Sequence, residues 1–188
     1  MRIFIAACVP EPIRESLSRL QSSLFDEGLR HIRWVRSSEV HLTLRFCGEI
    51  SSQARGLLSE KLAPGAPFLP FEARIGTFGV FPKRGAPRVL FLGLEPSSAL
   101  VALADWVEKR VQEAGLPPES RPFQPHLTVG RFRPGSPPVS LTGLPLAPAL
   151  LDARFHVDSV AVFRSHLGAQ GARHEVLSEH PLLGEVVG

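Results

Sequence analysis

The sequence HLTL at positions 41–44 decides the fold, because it recurs as HLTV at positions 126–129. In an extended strand, successive side chains point to opposite faces, so each copy puts two polar side chains on one face and two aliphatic side chains on the other. The polar side chains are His41, Thr43, His126 and Thr128. If the two strands face each other, these four groups lie within reach of one small anion.

The repeat extends beyond these two phrases. Three further pairs of identical residues are each separated by 86 positions, namely Arg2 and Arg88, Pro10 and Pro96, and Leu17 and Leu103. The order strand, proline, helix and His-x-Thr strand therefore occurs twice. This predicts two equivalent lobes related by a pseudo-two-fold axis, with the two motif histidines on opposite sides of one cleft.

Apolar periodicity predicts the individual elements. The predicted strands are residues 2–9, 32–35, 40–46, 71–80, 88–94, 155–163 and 173–177, the last pairing with the strand before it after a turn at 168–171. Helices are predicted from Pro12 to about residue 24, from the Ser51-Ser52 cap to residue 62, and from Pro96 to residue 111. Residues 134–148 are predicted to be a loop with at most a short strand.

Length and charge restrict the class of protein. A chain of 188 residues with 44% hydrophobic residues is expected to form a single domain, residues 1–188, made of the two lobes. The net charge of +3 does not imply strong nonspecific binding to duplex nucleic acid. Arginines whose planar guanidinium suits phosphate lie close to both phrases, and we expect one or two of them to contact a ligand; they are Arg33, Arg36, Arg45, Arg121, Arg131 and Arg133.

The cysteines and the apolar runs indicate an intracellular protein. Cys8 and Cys47 lie inside apolar runs and are expected to be free, buried thiols. The N-terminal apolar run is too short for a secretion signal, and no stretch approaches the ~20 apolar residues of a membrane helix. We expect a soluble, cytoplasmic monomer with no obligate protein partner.

Two histidines facing one site suit acid-base chemistry at phosphorus. Since histidine titrates near neutrality, one ring can act as base and the other as acid. Such a pair suits an in-line displacement in which one group deprotonates the attacking water and the other protonates the departing oxygen. Thr43 and Thr128 are then placed to bind nonbridging phosphate oxygens.

Other kinds of site fit less well. Neither phrase has a second His, Cys or carboxylate at metal-ligand spacing, so no metal or cofactor is expected. The Gly-x-Ser-x-Gly elbow of serine hydrolases is absent. Two unrelated core histidines are an alternative that the recurrence of the whole phrase disfavours. The remaining histidines, which lack this doubled context, are expected to be surface or structural residues: His31, His156, His166, His174 and His180.

Strict strand alternation makes two further predictions. It places Arg45 beside Thr43, and it places Arg131 on the face opposite His126 unless the strand bulges or ends at Gly130. Four aromatic residues are candidates for stacking on a nucleobase, although each is individually expected to belong to the core; they are Trp34, Phe78, Phe81 and Phe123.

The sequence resembles the two-histidine (2H) phosphoesterase superfamily, and within it the RNA 2',3'-cyclic phosphodiesterases, also called 2'-5' RNA ligases. The similar segments are WVRSSEVHLTLRFCGEI, FPKRGAPRVLFLGLE, RPFQPHLTVGRFR and SVAVFRSHLGAQGARHEVLSEHPL, together with the start RIFIAACVP. The resemblance implies an α+β fold with two antiparallel sheets lining a central cleft and helices on the outside.

The resemblance also implies an activity and residue roles. The implied reaction is hydrolysis of an RNA 2',3'-cyclic phosphate to a 2'-phosphate without a metal, with His41 as proton donor and His126 as proton acceptor. Thr43, Thr128 and Arg131 are implied to bind the phosphate. His174 stands where many relatives have a tyrosine. The alternatives are reversible 2'-5' ligation of RNA and a noncatalytic nucleotide-binding module.

Overall fold

The chain forms two antiparallel sheets and three α-helices in the part that this computed structural model describes, which comprises residues 1–137, 139–141, 144, 150, 152–168 and 171–184. The strands are β1 (Arg2–Cys8), β2 (Ile32–Trp34), β3 (His41–Glu49), β4 (Phe71–Phe81), β5 (Val89–Glu95), β6 (His126–Phe132), β7 (Arg154–Val157), β8 (Ser159–Gly168) and β9 (Gly171–Pro181). The helices are α1 (Glu11–Asp26), α2 (Ser52–Leu62) and α3 (Ser97–Glu113), and a short 3₁₀ helix spans Ser37–Glu39. The implied α+β class is confirmed.

The order of the strands shows the predicted repeat. One sheet has the order β3-β1-β8-β9 and the other has the order β2-β6-β5-β4-β7. Without its edge strand β2, the second sheet repeats the arrangement of the first, so that the His41 strand corresponds to the His126 strand. The two His-x-Thr motifs therefore occupy equivalent places in two equivalent sheets.

The apolar stripes of the helices form the predicted core. Leu17 in α1 and Leu103 in α3, the pair predicted to be equivalent, are both fully buried. They belong to one buried cluster together with Leu42 and Leu127, the aliphatic neighbours of the motif histidines. The core thus lies behind both motif strands and leaves the histidine faces free.

The cap of α2 forms as predicted. The Ser51 side chain accepts a hydrogen bond of 3.1 Å from the backbone N–H of Ala54, which satisfies one free donor of the first helical turn. Leu58 and Leu62 are fully buried, whereas Leu57, predicted to share their stripe, is exposed.

A β-bulge follows the threonine of the first motif. Ala6 of β1 pairs with Thr43, but its neighbour Ile5 pairs with Arg45, so Leu44 is an additional residue in β3. Such a bulge reverses the alternation of side chains for the residues that follow it.

An equivalent bulge occurs in the second sheet. Phe91 of β5 pairs with Thr128 and Leu90 pairs with Gly130, so Val129 is the additional residue in β6. The paired strands of the two sheets therefore correspond at a spacing of 85 residues. The predicted spacing of 86 holds for Pro10 and Pro96, which both occupy helix N-caps.

One predicted strand is two strands in different sheets. The run predicted as residues 155–163 is divided at Asp158, with β7 pairing with β4 in one sheet and β8 pairing with β1 in the other. Both strands are rich in buried apolar residues, so their combined sequence reads as one continuous run. The predicted hairpin of β8 and β9 is confirmed by the pairing of Gly168 with Gly171, and β9 is longer than predicted.

Three smaller predictions concern the end of β3, the loop at 134–148 and membrane-spanning helices. Strand β3 continues through Gly48, which was predicted to end it. Part of the predicted loop 134–148, namely 138, 142–143 and 145–148, lies outside the described residues; the described remainder contains no strand. No described helix is both long enough and apolar enough to cross a bilayer.

The two cysteines are free, but their predicted burial is wrong for one of them. Cys8 is exposed because it is the last residue of β1, at the point where the chain leaves the sheet. Cys47 is partly buried, and burial raises the pKa of its thiol to about 11.

Candidate active site

His41 is fixed in one orientation by the backbone two residues upstream and by an aromatic neighbour. Its Nδ1 lies 2.8 Å from the backbone carbonyl oxygen of Glu39. Its ring stacks on Phe4 of the adjacent strand β1, with the ring centroids 4.6 Å apart. Two contacts in different directions therefore hold the imidazole in place.

His126 is held in the same manner by different residues. Its Nδ1 lies 2.7 Å from the carbonyl oxygen of Gln124, again two residues upstream. Phe81 meets the ring edge-on at 5.0 Å, and Phe91 lies at 5.2 Å. Gly79 makes room for this arrangement, because a Cβ atom at that position would collide with the ring of Phe91.

These hydrogen bonds determine the tautomer of both rings. A backbone carbonyl can only accept a hydrogen bond, so each Nδ1 must carry a proton and donate it. In the neutral imidazole, Nε2 is then the unprotonated nitrogen. Each histidine can therefore take up or release a proton at Nε2, and the arrangement is the same at both.

A cavity of about 460 Å³ lies between the two motif strands. Its lining includes the polar side chains of the first motif, His41 and Thr43, and it includes Thr128 and Arg131 from the second. This size is in the range of small-molecule sites in proteins. His126 is not part of the lining, but it shares a strand face with Thr128, two residues away.

Electrostatic effects link the two histidines. The pKa of His41 is lowered to about 4, first by burial and then by the positive charge of His174, with smaller contributions from His126 and Arg131. The pKa of His126 is also lowered, by burial and by the charge of Arg131. Arg131 therefore acts on both rings, and both pKa shifts favour the neutral imidazole in the ligand-free protein.

The bulge in β6 brings Arg131 to the cavity. Strict alternation placed this side chain on the opposite face unless the strand bulged, and the additional residue Val129 supplies that bulge. The backbone here is also closely covered by β2, since a Cβ atom at Gly130 would collide with Ile32 and approach Trp34. A glycine before Arg131 is thus required by the packing of the edge strand.

The prediction that Arg45 lies beside Thr43 is wrong. The bulge at Leu44 turns Arg45 to the face away from the cavity, where it is buried and forms an ion pair with Glu108 of α3. Its guanidinium also donates hydrogen bonds to the carbonyl oxygens of Phe46 and Pro117. Arg45 therefore joins β3 to α3 and does not contact a ligand in the cavity.

Gln21 supports the second motif, and this role was not predicted from the sequence. This buried side chain of α1 donates two hydrogen bonds through Nε2, to the carbonyl oxygens of Val35 at 2.7 Å and Val129 at 3.0 Å. Val129 is the bulged residue, so Gln21 fixes the backbone that turns Arg131 toward the cavity. A single glutamine in an amphipathic helix gives no sequence signal for this role.

His174 was predicted to be a surface or structural residue, but it lines the cavity. Its ring lies edge-on to that of His41 at 5.1 Å, and its Nε2 is 3.8 Å from a carboxylate oxygen of Glu39. Among the other four histidines, His156 and His166 are exposed, as predicted.

The cavity is strongly basic. Four arginines contribute to its lining and Glu39 contributes a carboxylate. The arginines are Arg2, Arg33, Arg36 and Arg131. Of the arginines predicted to lie near the phrases, Arg121 instead forms a surface ion pair with Glu119. The basic lining suits an anionic ligand.

The aromatic side chains that line the cavity are only partly those predicted as candidates for stacking on a nucleobase. Trp34 is part of the lining, but Phe78, Phe81 and Phe123 are not. Phe46, which alternation would have placed on the opposite face, is turned into the cavity by the same bulge that turns Arg45 away. Within the described residues, no three His, Cys, Asp or Glu side chains are grouped as metal ligands.

Comparison with known proteins places this chain in a family. A sequence model of the 2'-5' RNA ligase superfamily matches residues 9–169. The RNA 2',3'-cyclic phosphodiesterase of Thermus thermophilus is 31% identical, with 98% of this chain and 92% of that protein covered. The protein of the same name from Archaeoglobus fulgidus is 31% identical over 140 residues, which are 74% of this chain and 77% of the relative.

A solved structure shows the same fold. The crystal structure of a protein from Thermus thermophilus matches with a TM-score of 0.82 at 29% identity, covering 98% of this chain and all of that one (100%). The family resemblance carried by the five sequence segments is thereby confirmed, and the chain belongs to the 2'-5' RNA ligase superfamily.

Proposed function

We propose that this protein hydrolyses the 2',3'-cyclic phosphate at an RNA end to a 2'-phosphate. The observation that carries the proposal is the matched pair of histidines, each with Nδ1 bound to the carbonyl oxygen two residues upstream and Nε2 available for proton transfer. The names of the Thermus and Archaeoglobus relatives support the same reaction.

The proposed mechanism uses one histidine for each proton. Nε2 of His126 removes a proton from a water molecule, whose oxygen attacks the phosphorus atom. The bond from phosphorus to the 3'-oxygen breaks, and Nε2 of His41 donates a proton to that oxygen. One water molecule is consumed, and the product carries a 2'-phosphate and a free 3'-hydroxyl. Each proton transfer contributes roughly 10²–10⁴ in rate.

Three side chains are proposed to hold the phosphate. The hydroxyl groups of Thr43 and Thr128 donate hydrogen bonds to the nonbridging oxygens, and the guanidinium of Arg131 neutralises their charge. All three line the cavity together with His41. Donors placed where negative charge develops stabilise the transition state more than the ground state.

The role of His41 as proton donor requires the substrate. Its pKa of about 4 leaves it neutral at pH 7 in the free protein. A bound phosphate anion favours the protonated form of a nearby imidazole and raises its pKa. We therefore propose that His41 becomes protonated when the cyclic phosphate binds, so that the acid is formed only in the complex.

Replacing each histidine tests this function. His41→Ala and His126→Ala should each lower the turnover of a 2',3'-cyclic nucleotide by at least about 10²-fold, and the far-UV circular dichroism should stay unchanged. The control is His156→Ala, which removes an exposed histidine outside the cavity. Full activity in either motif variant contradicts the proposal.

Two further measurements separate the alternatives. No metal takes part in the proposed steps, so activity should be unchanged after treatment with a chelator. The family description includes 2'-5' RNA ligation, in which a ribose hydroxyl attacks the cyclic phosphate in place of water. Product analysis with RNA fragments distinguishes ligation from hydrolysis, and any turnover of a cyclic mononucleotide excludes a purely noncatalytic binding module.

A further inference from the structure

We propose that Arg36 is a positioning residue for His41, the proton donor. This inference rests on the proposed function, because it concerns how the acid of that reaction is oriented. Nδ1 of His41 depends on the carbonyl oxygen of Glu39, and Arg36 holds the turn that presents this carbonyl.

The turn that carries this carbonyl crosses from one sheet to the other. The 3₁₀ helix Ser37–Glu39 follows β2 of the five-stranded sheet and precedes β3 of the four-stranded sheet. Within the turn, the N–H of Glu39 donates a hydrogen bond of 2.8 Å to the carbonyl oxygen of Arg36. A single 3₁₀ turn is a weak structure by itself, so its position depends on contacts with its surroundings.

Strand β9 contacts both ends of this turn. At the start, Nη2 of Arg36 donates a hydrogen bond of 3.0 Å to the carbonyl oxygen of Ala172. At the end, a carboxylate oxygen of Glu39 lies 3.8 Å from Nε2 of His174. We refer to these two contacts as the Arg36–Glu39 clasp. Because Ala172 and His174 belong to the same strand, the clasp fixes the whole turn against the edge of the sheet.

The second motif reaches the same ring geometry without a clasp of this kind. Gln124 stands 85 positions after Glu39, and its carbonyl oxygen lies 2.7 Å from Nδ1 of His126. The next carbonyl oxygen, that of Pro125, accepts a hydrogen bond of 3.2 Å from the N–H of Leu94 in β5. Its own sheet therefore holds the segment before the base, whereas side chains hold the segment before the acid.

The clasp matters most when His41 is protonated. The imidazolium then donates through Nδ1 to the carbonyl oxygen of Glu39 and through Nε2 to the departing 3'-oxygen. Hydrogen bonds from a charged donor are stronger than those from a neutral one, so the carbonyl both stabilises the acid and orients it. A displacement of about 1 Å in such a group can cost about 10²-fold in rate.

A contribution of Arg36 to ligand charge must be separated from this role. Arg36 is exposed and lines the cavity, so its loss also removes a positive charge near the ligand. Arg2 offers a matched control because it lines the same cavity, but its guanidinium lies over the ring of Phe46. Arg36→Met and Arg2→Met both remove a cavity charge, and only Arg36→Met removes a contact of the clasp.

The test compares two leaving groups. One substrate is a nucleoside 2',3'-cyclic phosphate, and in the other, sulfur replaces the 3'-bridging oxygen. A thiolate leaves without a proton more readily than an alkoxide, since a thiol is the stronger acid. The ratio of the single-turnover rate constants at saturating enzyme, sulfur over oxygen, therefore rises when the acid is impaired. The ratio should rise about 10²-fold or more in His41→Ala and about tenfold in Arg36→Met.

Two further variants complete the test. Arg2→Met should keep the wild-type ratio, whatever its effect on binding. Glu39→Ala removes the other contact of the clasp but keeps the carbonyl that His41 needs, so the ratio should rise; this variant decides if Arg36→Met does not fold. The inference is overturned if the folded clasp variants keep the wild-type ratio, or if Arg2→Met raises it as much as Arg36→Met does.

NMR of the ¹⁵N-labelled imidazoles separates this inference from the proposed function, since it needs no turnover. Neutral His41 should carry its proton on Nδ1 in the wild type and show both tautomers in Arg36→Met, while His126 keeps its wild-type signals. If the wild type hydrolyses neither substrate, or if sulfur does not raise the ratio in His41→Ala, the proposed mechanism is wrong and the tautomers still decide the role of Arg36. If the ratio rises in His41→Ala alone, only this inference is wrong.

Discussion

The imidazole of His174 lies edge-on against that of His41, with the ring centroids 5.1 Å apart and an angle of 85° between the rings. Their strands, β9 and β3, are the two edges of one four-stranded sheet. Contact between its edges requires the sheet to curl, and the hydrogen bond of 3.0 Å from Arg36 to the carbonyl oxygen of Ala172 shows the same approach. The curl gives the site a third histidine.

His174 should lower the proton affinity of His41. Burial lowers the pKa of His174 too, while Glu39 raises it and Arg36 lowers it, so the two rings titrate below 6.5 and compete for protons. Replacing His174 by Phe keeps a ring there but removes the charge, and the pKa of His41 should rise toward 6.5. An NMR titration of the His41 ring measures this shift, and an unchanged pKa contradicts the account.

The pH dependence of catalysis should differ between kcat/KM and kcat. The base must be neutral, so activity is lost as pH falls through its pKa; the acid must be protonated, so activity is lost as pH rises through its pKa. Since kcat/KM reports the free enzyme, where His41 has a pKa of about 4, its optimum should lie below pH 6.5. The bound phosphate raises this pKa, so the optimum of kcat should lie at higher pH. If the optima of kcat/KM and kcat coincide near pH 7, His41 does not become protonated through substrate binding.

Arg45 should matter for stability. Replacing it by Met leaves the carboxylate of Glu108, which is only 22% exposed, without its ion-pair partner. The free energy of unfolding should fall by about 3 kcal/mol, as expected when one member of a buried pair is removed. Urea denaturation measures the loss. The double variant Arg45→Met with Glu108→Leu should recover most of it, and a single variant as stable as the wild type refutes this role.

Gln21 should affect both stability and substrate binding. Replacing it by Leu removes the hydrogen bonds to the carbonyl oxygens of Val35 and Val129, at a cost of about 1–3 kcal/mol. Because Val129 forms the bulge that orients Arg131, KM for the cyclic phosphate should also rise. The control is Ser22→Ala on the exposed side of the same helix, which should change neither quantity. A Gln21→Leu variant with normal KM shows that the bulge does not need this support.

Much of the fold could be predicted because it depends on periodic patterns. The aliphatic neighbours of the motif histidines, Leu42 and Leu127, are buried as alternation requires. The helix stripes and the repeat likewise predicted the three helices and the correspondence between the two sheets. The alternation and the stripes are encoded by residues close together in the sequence, and the repeat by two segments that follow the same pattern.

The structural features that could not be predicted from the sequence depend on contacts between distant strands. Leu44 and Val129 are ordinary strand residues, and only their pairing partners show that they are bulged. Arg45 and Phe46 therefore lie on faces opposite to those that alternation predicts. The break at Asp158 is hidden because apolar residues lie on both sides of it, and the approach of β9 to β3 follows from the curl of the whole sheet.

Two imidazoles that act on one phosphorus atom must both contact a bound phosphate, and a crystal structure with a nucleoside 2'-phosphate shows whether they do. We expect Nε2 of His41 and Nε2 of His126 within hydrogen-bond distance of the phosphate oxygens or the 3'-hydroxyl, on opposite sides of the phosphorus. Thr43 and Thr128 should contact the remaining oxygens. A phosphate that contacts one histidine alone, or that binds outside this cavity, contradicts this mechanism.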